Sequence, residues 1–126
     1  MAHGFLQSFD TEITVCSAGT EPANNVSSKA VEVMKEVGID LSAHYPKLVN
    51  QYLNEEWDYV ITVCDYAKET CPVFIGKVKH QIHMGFEDPS LVSGTDEFIY
   101  SEFRRIRDKI KRDFHKIYIE QMKPQL

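Results

Sequence analysis

Two of the three cysteines stand where their side chains can do chemistry. Cys64 ends the apolar run of residues 59–64, and Cys71 follows in a polar stretch beside Pro72. Thiols can exchange electrons by forming a disulfide, and a thiolate is also a nucleophile. An odd number of cysteines at low density argues against a secreted disulfide framework. Cys64 and Cys71 are therefore open to redox, nucleophilic or packing roles, whereas Cys16, inside a predicted strand, is explained by packing alone.

Asp88 precedes Pro89, and this pair admits two interpretations. An aspartate in a partly dry setting can act as a general acid. Asp-Pro also commonly opens a turn.

Metal binding is a rival explanation of the cysteines. The potential zinc ligands are Cys64, Cys71, His80 and His83. Their C-x6-C and H-x2-H spacings miss the usual patterns of structural zinc sites, so we expect no bound metal.

The charge balance argues against several classes of partner. The 126 residues include 14 lysines and arginines and 19 aspartates and glutamates, a formal net charge of -5. Nucleic-acid binders concentrate positive charge on one face, so we expect no nucleic acid partner. No apolar run approaches the roughly 20 residues that span a bilayer, and no secretory signal is recognisable. We expect one cytoplasmic domain over residues 1–126.

Apolar periodicity predicts helices that alternate with strands. Ser27 or Ser28 suits the N-cap of a helix that Gly38 can close in a left-handed turn. The basic residues of the last helix alternate with acidic ones and are interpreted as a solvated face. The other predicted helices cover residues 1–9, 48–54 and 99–117, and the predicted strands cover residues 12–17, 59–64 and 78–83.

This alternation predicts a doubly wound α/β domain, whose ligands bind beyond the carboxyl ends of parallel strands. Cys64, Cys71 and Asp88 all follow a predicted strand. We therefore expect them on that edge of the sheet.

Three segments together resemble the thioredoxin-coupled arsenate reductases, which share the fold of the low-molecular-weight tyrosine phosphatases. They are residues 17–22 (SAGTEP), 30–40 (AVEVMKEVGID) and 60–74 (VITVCDYAKETCPVF). Residues 85–89 (GFEDP) look like the family's acid loop, and residues 1–6 (MAHGFL) look like the helix after its phosphate loop. The resemblance implies a three-layer α/β sandwich with a small parallel sheet in the strand order 2-1-3-4.

The resemblance also implies a segment that these residues do not contain. In the family, a first strand runs into a C-x5-R loop, whose backbone amides and arginine hold the oxyanion and whose cysteine attacks it. No cysteine here is followed by an arginine at the required position. We expect a start codon placed too far downstream, with coding sequence for the strand and loop in frame before Met1; a shortened gene is the alternative.

For the residues that are present, the resemblance implies a cysteine relay. The absent cysteine would form a thiol-arsenate adduct, Cys64 would attack its sulfur and release arsenite, and Cys71 would then attack Cys64. Thioredoxin would reduce the Cys64 to Cys71 disulfide, so the resemblance implies an external reductant and no bound cofactor. Asp88 would be the general acid, and arsenate or a phosphate-like oxyanion would be the ligand.

The relay sets a geometric condition on residues 65–70. A disulfide needs Cα atoms about 4.4 to 6.8 Å apart, whereas a helix here would separate Cys64 and Cys71 by roughly 10 Å along its axis. We therefore expect this polar segment to rearrange between the reduced and oxidised protein.

In the strand order 2-1-3-4 the absent first strand is central. Residues 12–17 and 59–64 would then each face a gap with unpaired backbone groups, which are costly to bury. Either the chain borrows a strand from a partner, giving a homodimer, or the two strands pair directly.

Two other functions stay open. One is a tyrosine phosphatase of the same fold, which does not need the C-x6-C pair. The other is a non-catalytic module for thiol-redox chemistry or binding.

Overall fold

The computed structural model of the chain describes residues 1–18, 27–44, 47–63 and 76–125. Within these ranges the chain forms three α-helices and a parallel two-stranded sheet. This confirms the predicted α/β class. None of the helices in the described ranges is both long and apolar enough to cross a membrane.

The longest element is α3 (Asp96–Ile117), against which both other helices pack. It begins at Thr95, whose hydroxyl accepts a hydrogen bond from the Phe98 N–H at 3.2 Å. Such a cap satisfies one of the N–H groups that the first turn leaves unpaired. The predicted apolar stripe is confirmed, and its buried side chains are Phe103, Ile106, Ile110 and Phe114.

The two shorter helices, α1 (Ala2–Phe9) and α2 (Ser28–Lys35), lie where helices are predicted. Ser27 is the N-cap of α2, because its hydroxyl accepts a hydrogen bond from the Ala30 N–H at 3.5 Å. Gly38 has a φ of 82°, the left-handed conformation that glycine adopts without a Cβ clash. Both ends of α2 therefore follow from residue types in the sequence.

The sheet consists of β1 (Glu56–Thr62) and β2 (Lys77–His83), paired in parallel with Tyr59 opposite His80. Both strands lie where strands are predicted, although β1 begins three residues earlier than expected. Tyr59 and Ile61 pack against the hydrophobic core. One face of the sheet is thereby directed toward the helices.

The predicted strand over residues 12–17 is wrong. Its side chains alternate as expected, since Ile13 and Val15 pack against the core while Thr14 and Cys16 are exposed. However, residues 12–17 join no described strand, and β1 pairs only with β2 among the described residues. Alternation predicts which face is buried, but a strand also needs a neighbouring backbone. The hypothesis that residues 12–17 pair directly with β1 is therefore wrong as well.

The helix predicted over residues 48–54 is also wrong, because a short 3-10 turn, Val49–Tyr52, stands in its place. The indole N–H of Trp57 donates to the Tyr52 carbonyl at 3.0 Å, and the two rings meet edge to face. This contact ties the turn to the start of β1 at Glu56, so the chain leaves the helical conformation after one turn.

The core joins the helices to the acid loop (residues 85–89). Phe5 of α1 and Met34 of α2 are 1% and 0% exposed, and they pack with Leu41 and the buried stripe of α3. Phe86 of the acid loop is buried in the same cluster. The core therefore places the acid loop against α3.

Candidate functional site

The carboxyl ends of β1 and β2 lie side by side, and the chain continues their pairing beyond the strands. The Met84 N–H donates to the Thr62 carbonyl at 2.8 Å, and the Phe86 N–H donates to the Val63 carbonyl at 3.1 Å. The segment after β2 thus runs alongside the last residues before Cys64. In open α/β sheets this is the edge where ligands bind.

Asp88 lies near this edge, immediately before the 3-10 turn Pro89–Leu91. Its carbonyl accepts a hydrogen bond from the Leu91 N–H at 3.2 Å, which confirms that Asp-Pro opens a turn. Its side chain is exposed, and the described residues do not supply the partly dry setting expected for a general acid. The acid role of Asp88 stays a prediction.

Cys64 and Cys71 lie outside the described residues, as does the segment expected to rearrange between them. The described part of β1 and its continuation ends at Val63, which is 41% exposed. Cys16 is a free and exposed thiol. The expectation that packing explains Cys16 is therefore wrong.

His80 and His83 project from opposite faces of the sheet, which argues against a shared zinc ion. They are three residues apart on β2, and successive side chains of a strand alternate in direction. The His80 ring stacks on Tyr59 with centroids 4.8 Å apart, and His83 Nδ1 lies 2.8 Å from Thr62 Oγ1. In the described part of the chain, no three His, Cys, Asp or Glu residues form a group that could hold a metal ion.

A second polar cluster lies at the amino end of α1. His3 Nδ1 is 2.8 Å from Ser17 Oγ, and the His3 ring lies 4.6 Å from the His44 ring. Burial lowers the pKa of His3 to about 4, and the charges of His44 and Lys47 act in the same direction. His3 is therefore neutral at pH 7.

Sequence reasoning missed the polar contacts that hold α2 against α3. The Arg107 guanidinium is buried, and it donates to the Val33 carbonyl at 2.9 Å and to the Glu36 carboxylate at 2.8 Å. Arg104 binds the same carboxylate with two of its nitrogens, Nε at 3.0 Å and Nη2 at 2.8 Å, and its side chain is 46% exposed, as the solvated-face interpretation expects. Hydrogen bonds from Arg104 and Arg107 lower the pKa of Glu36 to about 2. The one sign in the sequence is that Arg107 follows Phe103 by four residues and so falls on the apolar stripe.

Comparison with known proteins agrees with this architecture. The family described as low molecular weight phosphotyrosine protein phosphatase matches residues 5–125. An arsenate reductase of Halalkalibacterium halodurans is 40% identical over 111 residues, which cover 87% of this chain and 78% of that protein. An arsenate reductase of Bacillus subtilis is 38% identical over the same shares of the two chains.

Solved structures show the same relationship. An arsenate reductase in the phosphate binding state superposes with a TM-score of 0.75 at 25% identity, over 94% of this chain and 86% of that one. An arsenate reductase in the oxidized state gives a TM-score of 0.72 at 25% identity over the same shares. The chain therefore belongs to the low molecular weight phosphotyrosine protein phosphatase family, and the relatives that it resembles are arsenate reductases.

Proposed function

We propose that this chain acts in the reduction of arsenate to arsenite, with Cys64 and Cys71 as its redox-active thiols. The observation that carries the proposal is the 40% identity to an arsenate reductase over 111 residues. An alignment of that length on 126 residues includes the C-x6-C stretch. Cys64 follows Val63 at the carboxyl end of β1, the edge at which a parallel sheet binds ligands.

The proposed chemistry transfers two electrons from thiols to arsenic. Arsenic falls from the +5 to the +3 state when the Cys64 thiolate attacks the sulfur of a thiol-arsenate adduct. The arsenic–sulfur bond breaks, its electron pair stays on arsenic, and arsenite leaves. This attack leaves a disulfide between Cys64 and the thiol that held the arsenate, here called the first thiol. Cys71 then attacks Cys64, which releases the first thiol and forms the Cys64 to Cys71 disulfide. The two electrons have therefore come from Cys64 and Cys71.

Thioredoxin is the proposed partner, and its dithiol reduces the Cys64 to Cys71 disulfide. This cycle needs no bound cofactor. It also fits the cytoplasm, where protein thiols are kept reduced.

Asp88 is the proposed proton donor. It would protonate the oxygen that leaves arsenic when the first thiol adds. The support is positional, because Asp88 follows Phe86 by two residues, and the Phe86 N–H is bonded to the carbonyl of Val63, the residue before Cys64.

The proposal has two separable parts, since these 126 residues contain no C-x5-R segment that could hold the oxyanion. The first part is arsenate turnover by the chain. The second is the formation of a Cys64 to Cys71 disulfide that thioredoxin reduces. Each part has its own readout.

The test measures arsenate-dependent NADPH oxidation with thioredoxin and thioredoxin reductase, for the unaltered chain and for Cys64→Ser, Cys71→Ser and Cys16→Ser. Turnover that only the first two variants abolish supports the proposal, and Cys16→Ser is the matched control because Cys16 is an exposed thiol. Without turnover, the oxidised chain is treated with reduced thioredoxin and its disulfide is located by mass spectrometry. A Cys64 to Cys71 disulfide that thioredoxin reduces supports the electron-transfer part alone, and its absence rejects the relay.

Phosphate-ester hydrolysis is a second candidate, favoured by the family that matches residues 5–125. A phosphatase of this fold does not need the C-x6-C pair. Hydrolysis of para-nitrophenyl phosphate that survives Cys64→Ser and Cys71→Ser, with no arsenate turnover, would favour the phosphatase.

A homodimer also stays a prediction, as does the assignment of residues 1–126 to one domain. One backbone edge of β1 has no partner strand among the described residues, and a strand from a second copy would satisfy its polar groups. Sedimentation velocity tests this prediction, and a monomer at micromolar concentration would contradict it.

A further inference from the structure

The acid loop is held against α3 by side-chain contacts of different kinds. Phe86 is buried and stacks on Phe114, with ring centroids 6.0 Å apart. The Lys109 ammonium lies 5.9 Å from the centre of the Phe86 ring. Next to Phe86, the Glu87 carboxylate accepts a hydrogen bond from the Arg105 guanidinium at 3.0 Å. The loop is therefore joined to α3 by an apolar anchor and by an adjacent ion pair.

The Arg105 side chain is also hydrogen-bonded within α3. Two of its nitrogens donate to one oxygen of Glu102, at 3.1 and 2.7 Å, from three residues earlier on the same helix. The guanidinium thus bridges a carboxylate of α3 and a carboxylate of the acid loop. Both Arg105 and Glu87 are about half exposed, with 47% and 48% of their side chains accessible, so each contact is weak by itself. A role in placing the loop fits these contacts better than a role in global stability.

We propose that Arg105 is a positioning residue for Asp88, which it acts on through Glu87. The inference rests on the proposed function in that Asp88 is taken as the proton donor. Glu87 and Asp88 share a peptide bond, so the ion pair restrains the backbone on one side of Asp88, and the buried Pro89 restrains it on the other. Loss of the ion pair leaves the carboxyl of Asp88 with a wider range of positions, which slows proton transfer without weakening the binding of the oxyanion.

The structural part of this inference is tested by amide hydrogen exchange. The reporters are the Phe86 N–H, bonded to the Val63 carbonyl, and the Leu91 N–H, bonded to the Asp88 carbonyl. In Arg105→Gln we expect exchange at both reporters to be about two- to fivefold faster, as the loss of a half-exposed ion pair allows. Exchange within α3 should stay unchanged.

Two further sets of variants show whether Arg105 acts through Glu87. At the two reporters, Glu87→Gln should have the same effect as Arg105→Gln, and the double variant should be no faster than either, because both single variants remove the ion pair between α3 and the loop. Exchanging the charges, with Glu87→Arg and Arg105→Glu together, should recover most of the protection. Arg112→Gln is the matched control, since Arg112 pairs with the neighbouring Asp113 on α3.

The catalytic part is read from arsenate turnover. We expect Arg105→Gln to lower kcat about two- to fivefold with an unchanged KM, and Arg105→Lys to recover part of the loss. Unchanged exchange at both reporters, additive effects of the two single variants, or equal acceleration throughout α3 would overturn the proposal. Hydrogen exchange needs no turnover, so failure of the proposed arsenate chemistry and failure of the Arg105 inference are distinguished.

Discussion

Gly4→Ala adds a single methyl group where α1 packs against the segment after α2. A Cβ on Gly4 would lie 2.9 Å from Ile39 Cγ2, 2.9 Å from Leu41 Cδ2 and 3.4 Å from Met34 Cε. Optimal carbon–carbon contacts are about 3.5 to 4.0 Å, so the two contacts of 2.9 Å are too short, whereas the third, at 3.4 Å, lies at the edge of that range. The substitution therefore overpacks the core at this crossing.

Two effects of opposite sign decide the outcome. Alanine is favoured over glycine inside a helix by about 1 kcal/mol. Overpacking a close-packed core costs about 1 to 3 kcal/mol. Leu41 is 2% exposed and Met34 is 0% exposed, so both are enclosed in the core, where overpacking forces side chains away from their preferred rotamers. We expect the packing cost to dominate, with a net loss of about 1 kcal/mol in the free energy of unfolding.

Urea denaturation followed by circular dichroism measures this change, and a decrease of roughly 4 °C in Tm should accompany it. The cause is tested with Leu41→Ala, which alone should cost about 2 to 5 kcal/mol. In the double variant the new methyl group occupies part of the vacated space, so the two losses should sum to more than the double variant shows. A Gly4→Ala protein more stable than the unaltered chain, or strictly additive losses, would refute the reasoning.

Three further predictions concern stability. Arg107→Met leaves the buried Val33 carbonyl without its 2.9 Å hydrogen bond, and in a urea titration it should lower the free energy of unfolding by about 1 to 3 kcal/mol. In the same titration Arg112→Met, at an exposed position, should change the free energy of unfolding by less than about 0.5 kcal/mol. In the folded chain the pKa of His3 is lowered from 6.5 to about 4. As the pH falls, the unfolded chain therefore binds a proton first, so stability should decrease from pH 6.5 to 4. His3→Gln should flatten that part of a Tm-versus-pH curve. Thr95→Ala removes the N-cap of α3 and should cost about 1 kcal/mol, measured by thermal unfolding, with Thr95→Ser retaining most of the stability.

Several elements were predictable because their signals are local. Ser27 caps α2, and Gly38 adopts a positive φ after it, which are properties of single residues and of their immediate neighbours. The stripe of α3 repeats at helical spacing from Ile99 to Ile117, and the strands β1 and β2 lie at the apolar run of residues 59–64 and at residues 78–83, where Val78 and Ile82 alternate with polar residues.

The candidate site was predictable only in part. The turn after Asp88 follows from an Asp-Pro pair. The link from Glu87 to Arg105 joins residues 18 apart in the sequence, and no local pattern marks either of them as a partner of the other. The exposure of Cys16 is not predictable from its neighbours in sequence, because a strand-like alternation does not show whether another backbone covers the segment.

By itself, the sequence determined the α/β class, the positions of α1, α2 and α3, and the resemblance to arsenate reductases, because periodicity, capping and motif spacing are carried by residues close together in the chain. Only the tertiary structure decided that residues 12–17 lie beside the core without joining a described strand, and that Arg107 is buried on a stripe of apolar residues. A β-strand needs a neighbouring backbone for its hydrogen bonds, and a buried guanidinium needs acceptors from another element. Those partners are supplied by packing between segments that are distant in sequence.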